Sequence, residues 1–369
     1  MKPHRLGLLI LVAAAAACAE QSTTPLGVRD FSSAATAVVA PQGDYVITPS
    51  GWYHRSCVHE IPHGARVAIG GLVTRADRST FAIPRCLYPS YRTIPPNALG
   101  GINPPDATNL HWMEYSYDTL LAPSRYFQLD ARWAVPAAPL GAYGAGATYF
   151  AFPGLTSTEH FISQPVIQYG SNGGFGGSYW TMASWQCDTN PCLHSPPVRI
   201  AAGDSIRGQI WPYECVNSVC YWGVSSYDMT SHQITSFDVQ GTQHYWWSNG
   251  GAVEVYGLTS CSQYPTTGVF FNTIALHDAN GTLLSPAWQN RTRTAEPGIS
   301  PACSFSVTST STVVNVYHNP PPPPPPPSIW VTISGPSTVP QGISCTFIGS
   351  ASNGTDPYTF DVSPASESG

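Results

Sequence analysis

Between Tyr45 and the early 300s the chain never sustains a helical period. It runs in short alternating apolar and polar stretches broken by Gly, Pro and Asn. That punctuation predicts many short strands and no long helix, an all-β fold. The clearest stretch is Phe127-Gln-Leu-Asp-Ala-Arg-Trp-Ala-Val135. Phe127, Leu129, Ala131, Trp133 and Val135 point one way, and Gln128, Asp130 and Arg132 the other. A strand with one apolar face belongs to a two-layer antiparallel sheet structure. With 369 residues the chain is long enough to bury a sizeable core and to hold more than one domain.

Charged residues make up only 10% of the sequence, and the one lysine is Lys2. The surface is therefore built from Gly, Ser, Thr, Asn, Gln and Tyr, and protonation of carboxylates changes its charge little, which suits acid conditions, although a GC-rich genome and export account for the same composition equally well. A net charge of -6 with scattered arginines and no basic run argues against a nucleic-acid partner.

Residues 1–17 read as an export signal. Lys2 and Arg5 form a basic start, Leu6–Val12 an apolar core too short to span a bilayer, and Ala13–Ala17 a small-residue run before Cys18. A small-residue run ending in cysteine resembles the bacterial lipobox. The resemblance implies acylation of Cys18 and membrane association through that lipid anchor alone, in the cell envelope, at the outer membrane or cell surface.

In an exported chain the ten cysteines read as a disulfide framework. With Cys18 set aside, nearest-neighbour order suggests Cys57 with Cys86, Cys187 with Cys192, Cys215 with Cys220 and Cys261 with Cys303. Cys345 is left over. No metal or cofactor is expected. His59-Glu60-Ile61-Pro62-His63 matches a zinc-protease motif as text, but that chemistry needs both histidines on one face of a helix. Pro62 is poorly tolerated there, and Cys57-Val58 reads as strand.

Segment boundaries follow composition. Residues 18–44 form a tether, 45–108 an N-terminal β segment, 109–318 the main body, and 319–328 a linker whose unbroken Pro320–Pro327 run is a stiff spacer. Ile329-Trp-Val-Thr-Ile-Ser-Gly-Pro-Ser-Thr-Val-Pro-Gln-Gly, followed by Cys345-Thr-Phe-Ile-Gly, resembles the start of a bacterial Ig-like module. At roughly 40 residues, 329–369 is expected to be a partial copy of a domain of about 100.

Several motifs from Asn109 onward occur in the order found in the eqolisins, the glutamic peptidases. These are Trp112, Tyr126–Pro136, Tyr149-Phe-Ala-Phe-Pro-Gly154, Phe161-Ile-Ser-Gln-Pro-Val-Ile-Gln-Tyr-Gly170, Tyr179–Trp185, Val198–Ile206 with its Gly-Asp-Ser-Ile, and Ala252-Val-Glu-Val-Tyr256. The chain resembles that family over roughly 170 residues, and the resemblance implies a concanavalin-like sandwich of two seven-stranded antiparallel sheets. It assigns a catalytic pair, Gln164 and Glu254, projecting from the concave sheet. Trp112, Gln168, Trp185 and Tyr256 would line a site for a polypeptide substrate. In the implied mechanism Glu254 takes a proton from the attacking water and Gln164 donates to the oxyanion. The family carries aspartates where this chain has Pro153 and Gln168.

Period two puts Ala252, Glu254 and Tyr256 on one face and Val253 and Val255 on the other, so both members of the pair should point away from the core. The stretch 45–108 reads either as a propeptide-like cover or as an added β layer. Two alternatives stand beside catalysis. One is a carbohydrate-binding module stacking glycans on Trp180, Trp185, Trp246 and Trp247. The other is a surface adhesin.

Overall fold

The computed structural model describes residues 43–92, 111–120, 124–157, 161–188, 191–242, 244–293, 301, 303–318, 330–334 and 348–352. Cys18, Cys345, the proline run and most of the expected Ig-like segment lie outside them. Among the described residues there is no α-helix.

The N-terminal segment gives β1 (Tyr45–Thr48), β2 (Gly51–His54), β3 (Val58–Glu60), β4 (Arg66–Val67), β5 (Leu72–Thr74), β6 (Thr80–Ala82) and β7 (Tyr91–Arg92). Long strands follow: β8 (Trp112–Thr119), β9 (Tyr126–Ala134), β10 (Thr148–Ser157), β11 (Ile162–Ser171) and β12 (Gly176–Cys187). Short β13 (Cys192–His194) and β14 (Val198–Ile200) precede β15 (Ser205–Val216), β16 (Val219–Asp228), β17 (Ile234–Gly241) and β18 (Tyr245–Tyr256). The body closes with β19 (Val269–Asp278), β20 (Leu283–Leu284), β21 (Gln289–Thr292), β22 (Phe305–Thr310) and β23 (Val313–His318). A separate antiparallel pair joins β24 (Trp330–Ser334) to β25 (Ile348–Ser352).

The long strands form an antiparallel sandwich. One layer runs β12-β11-β10-β18-β8-β21, and the other β17-β16-β15-β9-β19-β23-β22. They are joined where Tyr245 pairs with Tyr126. Leu129, Ala131, Trp133 and Val135 of the alternating stretch enter the core between the layers, with Phe127 packed at its edge. Tyr149, Trp222, Val253, Val255 and Phe271 fill the same core. Each such buried side chain contributes about 1.5–3 kcal/mol. On the opposite face of β9, Asp130 receives Arg207 and the Gln209 amide, at 2.8 Å from the latter.

Within that core, Glu114 and His318 are hydrogen-bonded, and the far nitrogen of His318 meets the Tyr149 hydroxyl at 2.7 Å. Burial pushes the Glu114 carboxyl above its usual range, an effect His318 opposes.

The first layer is buried on both faces, which sequence periodicity did not anticipate. Every residue of β10 is buried, because a second aromatic cluster lies on the outer side of the sheet. It includes Trp112, Tyr115, Phe150, Phe152, Trp185 and Trp247, and Trp52 and Tyr53 of the N-terminal segment pack into it. That segment is thus an added β layer that also covers the sheet. The β1–β2 hairpin docks through Ile47, whose N–H donates to Asn172 O at 2.9 Å. Strand β3 pairs in parallel with β13, and β4 with β17.

The zinc-motif residues His59 and Glu60 lie in β3, not on a helix. Four disulfides join Cys57 to Cys86, Cys187 to Cys192, Cys215 to Cys220 and Cys261 to Cys303.

Candidate active site

Three neighbouring strands of the first layer, β11, β10 and β18, carry the polar groups that matter. Their register fixes which of them meet. Phe150 on β10 pairs with Gln168 on one side and Glu254 on the other. Four residues further along β10, Gly154 pairs with Asn249. On its other side the same register sets Gly154 against Gln164, between the pairs Ala151–Ile167 and Leu155–Ser163. The result is two cross-strand rows, Gln168–Phe150–Glu254 and Gln164–Gly154–Asn249, about 13 Å apart along the strands.

All of Gln164, Gln168, Asn249 and Glu254 are buried on the face away from the intersheet core. The expectation that Ala252, Glu254 and Tyr256 share a face holds, with Val253 and Val255 opposite. The pair points away from the intersheet core as expected, yet both side chains are buried, because the hairpin lies over them. Gln164 and Glu254 stand in different rows, so their side chains do not meet directly.

The turn between β1 and β2 fills the space between them. The Gln164 amide nitrogen donates to the Pro49 carbonyl. The Tyr256 hydroxyl lies 3.3 Å from the Thr48 carbonyl and is hydrogen-bonded to the Glu254 carboxyl. Two consecutive backbone carbonyls therefore run between the amide of Gln164 and the carboxyl of Glu254. Trp52 sets its ring edge-on to Tyr256 at 5.0 Å and to His111 at 4.7 Å, and His111 stacks on Tyr256 at 4.1 Å. His111 donates from Nδ1 to Val255 O at 2.8 Å. Burial lowers its pKa to about 4, against the pull of that hydrogen bond.

The remaining predicted residues are placed as follows. Gln168 is tied to its own loop, donating to Gly170 O at 2.9 Å and Phe175 O at 3.3 Å. Trp112 packs edge-on against Tyr115 and Phe152. Trp185 stacks on Phe175 and leans on His194. Of the tryptophans proposed for glycan stacking, Trp180 belongs to the intersheet core, Trp185 and Trp247 are buried in the covered layer, and Trp246 is half-buried. Burial removes the first three from any sugar in the covered state.

Asn249 is the residue that periodicity missed. An odd separation from Glu254 predicts the opposite face. A bulge at Gly250 inserts one extra residue into β18, where Asn249 and Gly251 pair with the consecutive residues Tyr117 and Ser116, and this turns Asn249 to the site side. Glycine is needed at the bulge because a Cβ on Gly250 would lie 2.8 Å from the Trp288 ring, and one on Gly251 would lie 2.2 Å from Phe271. The Gly250-Gly251 doublet within an apolar strand was the available signal. A cleft of about 800 Å³, lined by Val67, Ile83, Phe161, Gln186, Leu193 and Val239 among others, lies apart from Gln164 and Glu254.

No protein-family model matches the chain, and no curated protein does. Solved structures do. Scytalido-glutamic peptidase with a peptide-based transition state analog matches at 15% identity, covering 56% of this chain and 98% of that one, with a TM-score of 0.39. SCP-B, a member of the eqolisin family of peptidases in complex with the tripeptide Ala-Ile-His, matches at the same identity and coverage with a TM-score of 0.38. These are likenesses to those chains and fix no residue's role in this one.

Proposed function

We propose that this protein is an exported, lipid-anchored acid endopeptidase of the glutamic type whose site is covered by its own N-terminal hairpin. The observation that carries the reading is the path of the turn. One backbone carbonyl rests on the Gln164 amide, and its neighbour lies on the Tyr256 hydroxyl that is hydrogen-bonded to Glu254. A substrate chain laid along that path, with the hairpin withdrawn, presents a carbonyl to Gln164 and leaves room for a water on the Glu254 side. Glu254 takes the water's proton as the water attacks the carbonyl carbon. The Gln164 amide donates to the oxyanion, and Glu254 returns the proton to the leaving nitrogen.

The test is incubation of the full chain with denatured protein from pH 2 to 7, beside Glu254→Gln and a Trp52→Ala variant that loosens the hairpin. Acid proteolysis that rises in Trp52→Ala and vanishes in Glu254→Gln is expected. Retained proteolysis in Glu254→Gln overturns the assignment. Anchoring is tested separately: Cys18→Ser should shift the protein from the membrane to the soluble fraction.

A second reading is favoured by one observation, that the residue facing Gln164 across Gly154 is Asn249 and not a carboxylate. An amide pair can hold a peptide but cannot act as a general base. Peptide binding with no proteolysis in any of these variants is the outcome that selects it.

A further inference from the structure

The cleft of about 800 Å³ beside the β12–β13 hairpin plays no part in the chemistry proposed above. It exists because two paired strands part. β4 pairs in parallel with β17 for two residues only, Arg66 with Asp238 and Val67 with Val239. The chain then turns back into β5 through Gly70 and Gly71, both at positive φ, +90° and +85°. The end of β17 runs on without a strand beside it there, and Val67, Ile83, Leu193 and Val239 line the space left open. The Cys57–Cys86 disulfide ties the wall that carries Ile83 and Cys86 to the start of β3, so the cleft is preformed.

One polar group is out of keeping with these walls. Gln186 is only 3% exposed, and its Oε1 has no hydrogen-bond partner among the described residues. Gln186 is the cross-strand neighbour of Leu193 and shares its face, and both line the cleft. A buried acceptor without a donor is uncommon and costly, so this one points to a ligand that brings the donor. The charged groups limit what else that ligand carries. Arg85 and Asp188 line the cleft with opposite signs, so neither an anionic nor a cationic head group is favoured.

We infer that the cleft is a binding site for a neutral apolar alcohol, whose hydroxyl donates to Gln186 Oε1 while its hydrocarbon body packs against Val67, Leu193 and Val239. A hydroxyl is the smallest group that supplies the donor. An amide would add a carbonyl to be desolvated against the same apolar walls. The volume lies within the range of small-molecule sites. Nothing in this assignment depends on catalysis by Glu254.

The experiment is titration calorimetry of the full chain with 4-ethylphenol and with 4-ethylanisole. The two share one body, and methylation removes only the donor. Wild type should bind the phenol about fivefold more tightly than the ether. Gln186→Met keeps the length of the side chain and removes the acceptor, so it should bind both alike, at the ether's wild-type affinity. Ala68→Trp places a ring in the cleft from a half-buried position on its wall and should abolish binding of both. Thermal melts establish that each variant folds, and the comparison of the two ligands in wild type needs no variant at all.

Equal binding of the two ligands by wild type, or tighter binding of the ether, overturns the inference. A preference that survives Gln186→Met does so too, as does phenol binding undiminished in Ala68→Trp. A cleft that holds only water binds neither ligand, which ends the idea as well. Acid proteolysis is expected to be unchanged in both variants, so this inference and the peptidase reading fail separately.

Discussion

Gln164 and Asn249 face each other across Gly154, two amides on flanking strands with no side chain between them. Glu254, a carboxyl on the same face, belongs to the row of Phe150. A single inserted residue, Gly250, decides this arrangement. Without the bulge Asn249 would point into the intersheet core.

Gly154→Ala should be destabilising although its backbone is unstrained. The new methyl would lie 2.8 Å from Asn249 Oδ1 and 3.1 Å from Ser163 O. The second contact is backbone and cannot swing away, so a loss of about 1–3 kcal/mol is expected in urea unfolding. Asn249→Ala in the same chain should recover only the part owed to the side chain.

Acid should weaken the fold through two histidines. Burial lowers the pKa of His111 and of His194 to about 4, from 6.5. Between pH 6.5 and 4 the unfolded chain binds more protons at these groups than the native one does. Their contribution is therefore full above pH 6.5 and is lost as the pH falls through 4, by roughly 3 kcal/mol each. Glu114 works the other way: its raised pKa favours the fold at low pH and gives that up as the pH rises through the shifted value. Thermal melts of His111→Phe, which keeps a ring on Tyr256 but cannot protonate, should show a shallower acid slope than wild type. An unchanged slope would clear His111 of the effect.

Glu254 and Gln164 should separate in their effects. Glu254→Gln keeps an acceptor for the Tyr256 hydroxyl, so the fold is retained, while the proteolysis proposed above is expected to be lost. On the proposed peptidase reading, Gln164→Ala removes the oxyanion donor and should lower kcat by about 10²–10³. Because Gln164 is fully buried under the hairpin, that variant also loosens the cover, which shows as faster hydrogen exchange at β1.

Opening the Cys57–Cys86 disulfide, which spans 29 residues, should cost about 3–4 kcal/mol by the chain-entropy relation. Opening Cys187–Cys192, which spans 5, should cost about 2 kcal/mol by the same relation. Paired serine substitutions compared by urea denaturation test the ranking.

The alternation of Phe127–Val135 and the faces of Val253, Glu254 and Val255 were legible because those strands have one side against the intersheet core. Nearest-neighbour cysteine order likewise matches the disulfides formed. Burial of Gln164 and Glu254 was not legible. A covering layer drawn from residues far away in sequence leaves no local period, and a continuous apolar stretch such as Thr148–Ser157 does not say what lies on its second side. Asn249 escaped because period two assumes an unbroken ladder.

The parallel pairing of β3 with β13 has a consequence for the order of assembly. The cover is made first, yet its partners come much later: the Tyr53 hydroxyl bonds to Asp188 O 135 residues on, and the Ile69 N–H meets Gln240 171 residues on. Contacts of such long sequence separation bear a large loop-closure entropy and form late. Sandwich contacts of equal separation, such as Ser116 with Asn290 174 residues on, close over the same range, so the cover and the sheet it lies on are both completed by the C-terminal half of the chain. Until that half is present, the N-terminal hairpin has no sheet face to lie on.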